Sequence, residues 1–137
     1  VPTRRIMMVG ITIGTRFPAY ATSMGRVLLA AMPVRDRDAV LAASELTAMT
    51  PRTLADADSL SRELQRVRDQ GWAIVDGELE AGLRSAAAPI RGRDGQVVAA
   101  INVSTSASRD TVERLRDFHL PLLLETAAAI EADLRLL

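Results

Sequence analysis

"RSAAAPIRGRDGQVVAAINVST", residues 84–105, decides the fold. Two runs of small, β-branched and apolar residues flank "GRDGQ" at 92–96, and Asp94-Gly95 is the kind of dipeptide that turns one strand back on the next. The stretch predicts an antiparallel hairpin. Just upstream, "WAIVD" at 72–76 carries the same two-residue period and follows directly on Gly71, where a helical period stops.

Outward from the hairpin the period is helical. "LADADSLSRELQRVRDQG" at 54–71 opens on Asp and Ser, places Leu60, Leu64 and Val67 on one face and stops at Gly71. "RDRDAVLAAS" at 35–44 predicts a short helix with Val40, Leu41 and Ala43 inward. Apolar residues at 24, 27, 28, 31 and 32 predict a third helix, with Thr22 or Ser23 as its cap and Pro33 as its stop. Residues 4–13, "RRIMMVGITI", read as a buried strand broken by Gly14 and Pro18. Arg109 to Leu137 reads as a long helix with Leu115, Phe118, Leu122, Ile130 and Leu134 on its core side, kinked or split at Pro121, which lacks a backbone donor. The order predicts an α+β domain: helices packed on an antiparallel, or mixed, sheet, ending in a long helix.

Composition bounds the function. The 137 residues are of single-domain length, enough to bury roughly 65 to 70% of the surface of the unfolded chain. Aromatics are only 3%, so the core is built from Leu, Val, Ile, Ala and Met. Seventeen basic and seventeen acidic side chains cancel, with no run of five like charges, which excludes the footprint that holds phosphate backbones. There is no cysteine and a single histidine, His119, which excludes thiolate and histidine-rich metal sites, and no cofactor is expected. Apolar stretches fall far short of the ~20 residues of a membrane span, and no signal-peptide layout opens the chain. A soluble, cytoplasmic protein is the expectation. The start at Val1-Pro2, without Met, suggests a piece of a longer chain whose N-terminal partner domain is missing.

"PAYATSMGRVLLAA", residues 18–31, sets two hydroxyls and a glycine ahead of a helix. Ser23 admits three readings: nucleophile, helix cap and anion site. A nucleophile needs a base, His119 is the only histidine, and the pattern Gly-x-Ser-x-Gly is absent, so no catalytic residue is expected. Capping and an anion site are compatible, because first-turn N–H groups lack intrahelical partners and carry the positive end of the helix dipole, while Gly25 permits close approach. The alternating Asp76, Glu78 and Glu80 read as solvated or turn-capping acids, and Arg84 as a salt-bridge partner of one of them. Asn102 and Ser104 share one face of an apolar strand opposite Ile101 and Val103. Polar groups there must be hydrogen-bonded or open onto a cavity, and we read a polar cavity. His119 reads as a partly buried helix residue.

Taken in order, "GTRFPAYATSMGRVLLAAMP" (14–33), "GWAIVDGELEAGLRSAAAPIRGRDGQVVAAINVS" (71–104) and the long terminal helix resemble the effector-binding domain of IclR-type bacterial transcriptional regulators. The likeness spans essentially the whole chain. Within that family, "GTRFPAY", "MGRVLLA" and "GLRS" are most similar to the branch that controls aromatic-acid and β-ketoadipate catabolism. The resemblance implies a GAF-like sensor domain and, ahead of it, a winged helix-turn-helix domain that binds operator DNA as a dimer or dimer of dimers. It implies a small organic acid, aromatic or dicarboxylic, as effector. The family's pocket positions fall on Ser23 and Met24 at the helix start, Leu83 and Ser85 on a wall strand, and Asn102 and Ser104 on the sheet floor. Val75-Asp76 stands where many members carry paired acids, which puts Asp76 among the implied contacts, and Ser85 stands where many carry cysteine. For an aromatic acid, Arg16 is the expected carboxylate clamp; Ser23, Ser85, Asn102 and Ser104 take ring hydroxyls or a second carboxylate, and Met24, Leu83 and Tyr20 form apolar walls. Two rival readings are an enzyme using the Ser23 helix as an anion hole and a dimerisation domain without ligand, the latter requiring a site near Asn102 filled by side chains.

Overall fold

The computed structural model describes residues 11–137. Of the strand expected over 4–13, residues 4–10 lie outside the described residues and 11–13 are not strand. Thr15 N–H donates to the Thr12 carbonyl at 3.0 Å, and Gly14, at φ 95°, accommodates the turn.

Among the described residues, three α-helices precede the sheet: α1 (Ser23–Ala31), α2 (Val34–Ala43) and α3 (Ala57–Gln70). Asp56 caps α3, its Oδ1 accepting from Ser59 N at 2.8 Å, and Gly71 ends it in the left-handed region at φ 83°. The inward face of α2 differs from expectation. Arg37 and Leu41, one turn apart, are buried, whereas Val40 is 37% exposed and Ala43 exposed. A ten-residue helix at the edge of the domain buries one narrow stripe, and residues four apart lie on it together.

The sheet, among the described residues, is antiparallel with order β1-β2-β3: β1 (Ala73–Asp76), β2 (Leu83–Arg91) and β3 (Val97–Ser106). The predicted hairpin forms at 92–96. Gly92 N–H donates to the Gln96 carbonyl at 2.8 Å, Asp94 Oδ1 accepts from Gln96 N at 3.0 Å, and Gly95 takes φ 81°. The register sets Val75, Ser85 and Ser104 in one row and Ala73, Ala87 and Asn102 in another on the same face. That face carries α1 and, beyond it, α3, with a core of Val27, Ala30, Leu60, Leu64, Ala73 and Ala87.

The terminal helix covers the other face, packing Leu115, Leu120, Leu123 and Ala127 against Ala86, Ala88 and Ile90. It runs in consecutive segments, Val112–Arg114, a π-helical turn Leu115–His119, and Leu120–Arg135. Pro121 therefore does not split it: the helical segments are consecutive, and the wider turn just before the ring takes up the missing donor and the clash with the preceding turn. The turn also shifts the phase. With Leu120 five positions after Leu115, the core stripe becomes Leu115, Leu120, Leu123, Ala127, Ile130 and Leu134, and the expected core residues Phe118 and Leu122 are turned outward, 49% and 51% exposed.

Asp110 ties this helix to the sheet. It accepts from Thr105 Oγ1 at 2.7 Å, lies 3.3 Å from His119 Nε2 and 2.9 Å from Arg114 Nε, and its carbonyl accepts from Arg84 at 2.5 Å. The Thr105 hydroxyl, then the His119 and Arg114 charges, hold its carboxyl below the ordinary 3.8. A carboxyl depressed in the folded state contributes stability that is present above its unfolded value and lost as pH falls through the folded one. In thermal melts taken downward from pH 5, the wild-type melting temperature is expected to fall toward that of Asp110→Asn below pH 3.8. A gap between the two that stays constant to pH 2 contradicts this assignment.

Candidate functional site

The start of α1 is built by its own sequence. Pro18 and a single 3-10 turn, Ala19–Ala21, deliver Thr22 in an extended conformation, and its Oγ1 caps the helix by accepting from Gly25 N at 3.1 Å. Gly25 is required by packing: a Cβ there would fall on the Ala19 carbonyl and within 2.6 Å of Thr22 Oγ1. With Thr22 as the cap, Ser23 is free for another partner. It is 1% exposed, and Ser85 on β2 donates to its Oγ at 2.8 Å.

Between this helix start and the sheet lies a cavity of about 340 Å³. Its polar wall is Thr22, Ser23, Ser85, Asn102 and Ser104. Its apolar wall includes Phe17, Met24, Val75, Leu79 and Leu83. Asn102 Nδ2 donates to Ser104 Oγ at 3.1 Å, as two side chains on one strand face can.

The expected residues Ser23, Met24, Leu83, Ser85, Asn102 and Ser104 thus converge on one cavity. Three others do not line it. Tyr20 sits in the core on the α3 side of α1, and its hydroxyl is engaged with Thr47, donating to the carbonyl at 2.8 Å and accepting from the amide at 2.9 Å. Asp76 projects to the opposite sheet face and is paired with Arg84 at 2.8 Å and Arg52 at 2.6 Å. The Arg84 salt bridge expected from sequence is therefore present, set by the β1–β2 register that places Asp76 opposite Arg84. Arg16 is exposed and one residue before Phe17, whose ring does reach the cavity. His119 is bonded to Asp110 on the far side of the sheet, so the single histidine of the chain has no access to Ser23.

One arrangement went unread in the sequence. Glu78, expected to be solvated or turn-capping, is 8% exposed and takes Arg26 of α1 bidentately, at 2.8 Å to Oε2 and 2.5 Å to Oε1. Arg26 is itself 1% exposed and donates its Nε to the Tyr20 carbonyl at 2.9 Å. The usable signal lay in "MGRVLLAA": Arg26 falls one turn before Leu29 and Ala30 on the buried face, and a buried guanidinium requires a carboxylate. Among the described residues no buried side-chain nitrogen or oxygen lacks a hydrogen-bond partner. No cluster of acidic or histidine side chains there suits a metal ion, and no helix there is long and apolar enough to cross a membrane.

An α+β domain with helices on both sheet faces here encloses a mostly apolar cavity with a few convergent hydroxyl and amide groups at a helix start, the make-up of a small-ligand pocket. The chain belongs to the IclR family of bacterial transcriptional regulators: residues 1–132 match the family described as "Bacterial transcriptional regulator IclR C-terminal". It is 51% identical over 120 residues to the Pca regulon regulatory protein of Pseudomonas putida, covering 88% of this chain and 41% of that protein. A protein from Rhodococcus sp. RHA1 described as a transcriptional regulator superposes with a TM-score of 0.89 at 53% identity, over 98% of this chain and 55% of that one. The inducer-binding domain of the Acinetobacter transcription factor PobR, a double mutant in complex with 3-hydroxybenzoic acid, superposes with a TM-score of 0.86 at 30% identity, over 94% and 74%. The chain spans less than half the length of the curated relatives it matches.

Proposed function

We propose that this domain senses a small organic acid, aromatic or dicarboxylic, and that the acid occupies the cavity between the start of α1 and the sheet. The observation that carries the reading is the Ser23–Ser85 hydroxyl pair, 2.8 Å apart, at a helix N-terminus that opens onto about 340 Å³ of mostly apolar space. That volume is in the range of small-molecule sites, roughly 300 to 1,000 Å³. Thr22 Oγ1 takes the Gly25 amide and the Thr22 carbonyl takes the Arg26 amide, so the carboxylate is assigned to the amides of Ser23 and Met24, where the helix dipole favours an anion. Ser85, Asn102 and Ser104 take ring hydroxyls or a second carboxylate, and Met24, Leu79 and Leu83 bury the carbon skeleton. A cavity rather than packed side chains beside Asn102 speaks against a domain without ligand. The regulators of aromatic-acid pathways among the relatives support the choice of acid.

In the full-length protein, a winged helix-turn-helix domain ahead of this one carries the DNA contacts, and a dimer or dimer of dimers transmits the signal. The effector shifts that assembly by no more than its differential affinity for the two states. A thermal-shift panel of benzoates, protocatechuate, muconate, β-ketoadipate, pyruvate and glyoxylate tests the reading. An acid at a hundred times its dissociation constant is expected to stabilise by about 2.7 kcal/mol; no response to any of them sinks it. Arg16→Ala separates two modes of anion binding. If the exposed Arg16 clamps the carboxylate from the mouth, its loss weakens acid binding at least about tenfold, whereas unchanged affinity leaves the α1 amides as the whole anion site.

A further inference from the structure

We infer that the buried Arg26–Glu78 pair is a positioning device for the cavity, holding Leu79 in the wall at a set distance from the start of α1. This rests on the cavity being the effector site. Arg26 lies two residues beyond Met24 and Glu78 one residue before Leu79, so the pair joins the two walls directly behind the side chains that face the cavity.

Everything around Glu78 serves to immobilise that one corner of the β1–β2 connection. Its Oε1 accepts from the Leu54 amide at 2.9 Å as well as from Arg26. Its carbonyl accepts from Thr53 Oγ1 at 2.6 Å, and the Gly77 carbonyl accepts from Thr50 Oγ1 at 2.5 Å. On the other side, the Arg26 Nε bond to the Tyr20 carbonyl ties in the 3-10 turn that delivers Phe17 and Ala21 to the same cavity. One planar guanidinium thus sets the helix, the turn before it and the β1–β2 loop in a single geometry, which a lysine cannot reproduce because it lacks the fixed fork. As a source of stability such a pair is a poor choice, since apolar residues of equal volume serve as well or better; what a bidentate buried pair specifies is register. Its placement behind two cavity walls makes that register the shape of the binding site.

The test has two arms, both on Glu78→Gln, which keeps the shape and removes the charge. In amide hydrogen exchange without ligand, protection at the Gly77 and Leu83 amides, which donate to the Leu83 and Glu80 carbonyls and close this corner, is expected to drop at least about tenfold while Ala86–Ala88 and α3 keep wild-type protection. A uniform loss across the domain, or no change at all, overturns the inference. Arg26→Lys is read the same way and covers the case in which Glu78→Gln fails to fold. In the second arm, protocatechuate affinity is measured by calorimetry for wild type, Glu78→Gln, Leu79→Ala and the double variant. The Gln variant is expected to bind about tenfold more weakly, and to have no further effect once Leu79 is truncated. Additive losses mean that Glu78 does not act through Leu79. Should no acid bind the wild type, the sensor reading fails, and the exchange arm still decides the role of the pair.

Discussion

Replacing Arg26 with alanine is expected to destabilise the domain by roughly 3 to 5 kcal/mol, because it leaves the Glu78 carboxylate buried without its counter-charge. Both partners are out of solvent, Arg26 at 1% and Glu78 at 8% exposure, so the screening that makes surface pairs almost worthless is absent here. The substitution also removes the donor to the Tyr20 carbonyl and empties a volume among the side chains of the core. Chemical denaturation of Arg26→Ala, Glu78→Ala and the double variant separates these contributions. The double variant removes both charges at once and is expected to be less destabilised than the sum of the single changes, the excess being the coupling of the pair. A single Arg26→Ala variant within about 1 kcal/mol of wild type is incompatible with an ion pair buried as seen here.

Gly25→Ala is the second large effect, and its sign runs against intuition. In an open helix the change gains close to 1 kcal/mol, because alanine is the better helix former. Here the new methyl meets the backbone: it falls on the Ala19 carbonyl, 2.5 Å from Ala19 Cα and 2.6 Å from the capping Thr22 Oγ1. Backbone cannot rotate aside as a flexible side-chain end can, so the 3-10 turn at Ala19–Ala21 must move off α1, taking the Thr22 cap with it. We expect a net loss of about 2 to 3 kcal/mol, in the range of overpacked cores. Because the same turn carries Ala21 and Thr22 into the cavity wall, acid affinity should fall at least about tenfold. A stable Gly25→Ala variant with wild-type acid binding would show that the close approach at this corner is dispensable.

Features governed by neighbours in the chain were legible. The hairpin at Asp94-Gly95, a cap at Thr22 or Ser23, the Asp and Ser that open α3, the stop at Gly71 and the shared face of Asn102 and Ser104 all rest on contacts within about five residues, where turn chemistry and period decide. That Arg84 would pair with one of the three nearby acids was legible as well, whereas the choice of Asp76 came from the β1–β2 register that sets the two residues opposite each other. What misled was phase. The face of the terminal helix was counted at 3.6 residues per turn, and the π-helical turn before Pro121 added a residue, exchanging Phe118 and Leu122 for Leu120 and Leu123. Phase also governs Asp76: it follows Val75 along β1, and neighbours along a strand point to opposite sheet faces, so its carboxylate lies on the face away from the cavity.

By itself, then, the sequence determined the α+β elements, their caps and turns, the family, and the polar residues that meet at the cavity, because each is encoded in local spacing or in a motif. Only the tertiary structure decided that Glu78, rather than Asp76 or Glu80, joins Arg26 across 52 positions, and that this pair stands behind the cavity. Three carboxylates alternating along one segment are equivalent in sequence. What distinguishes them is which one the loop carries inward against a helix packed from the other end of the chain, and that is settled by the packing of the whole domain.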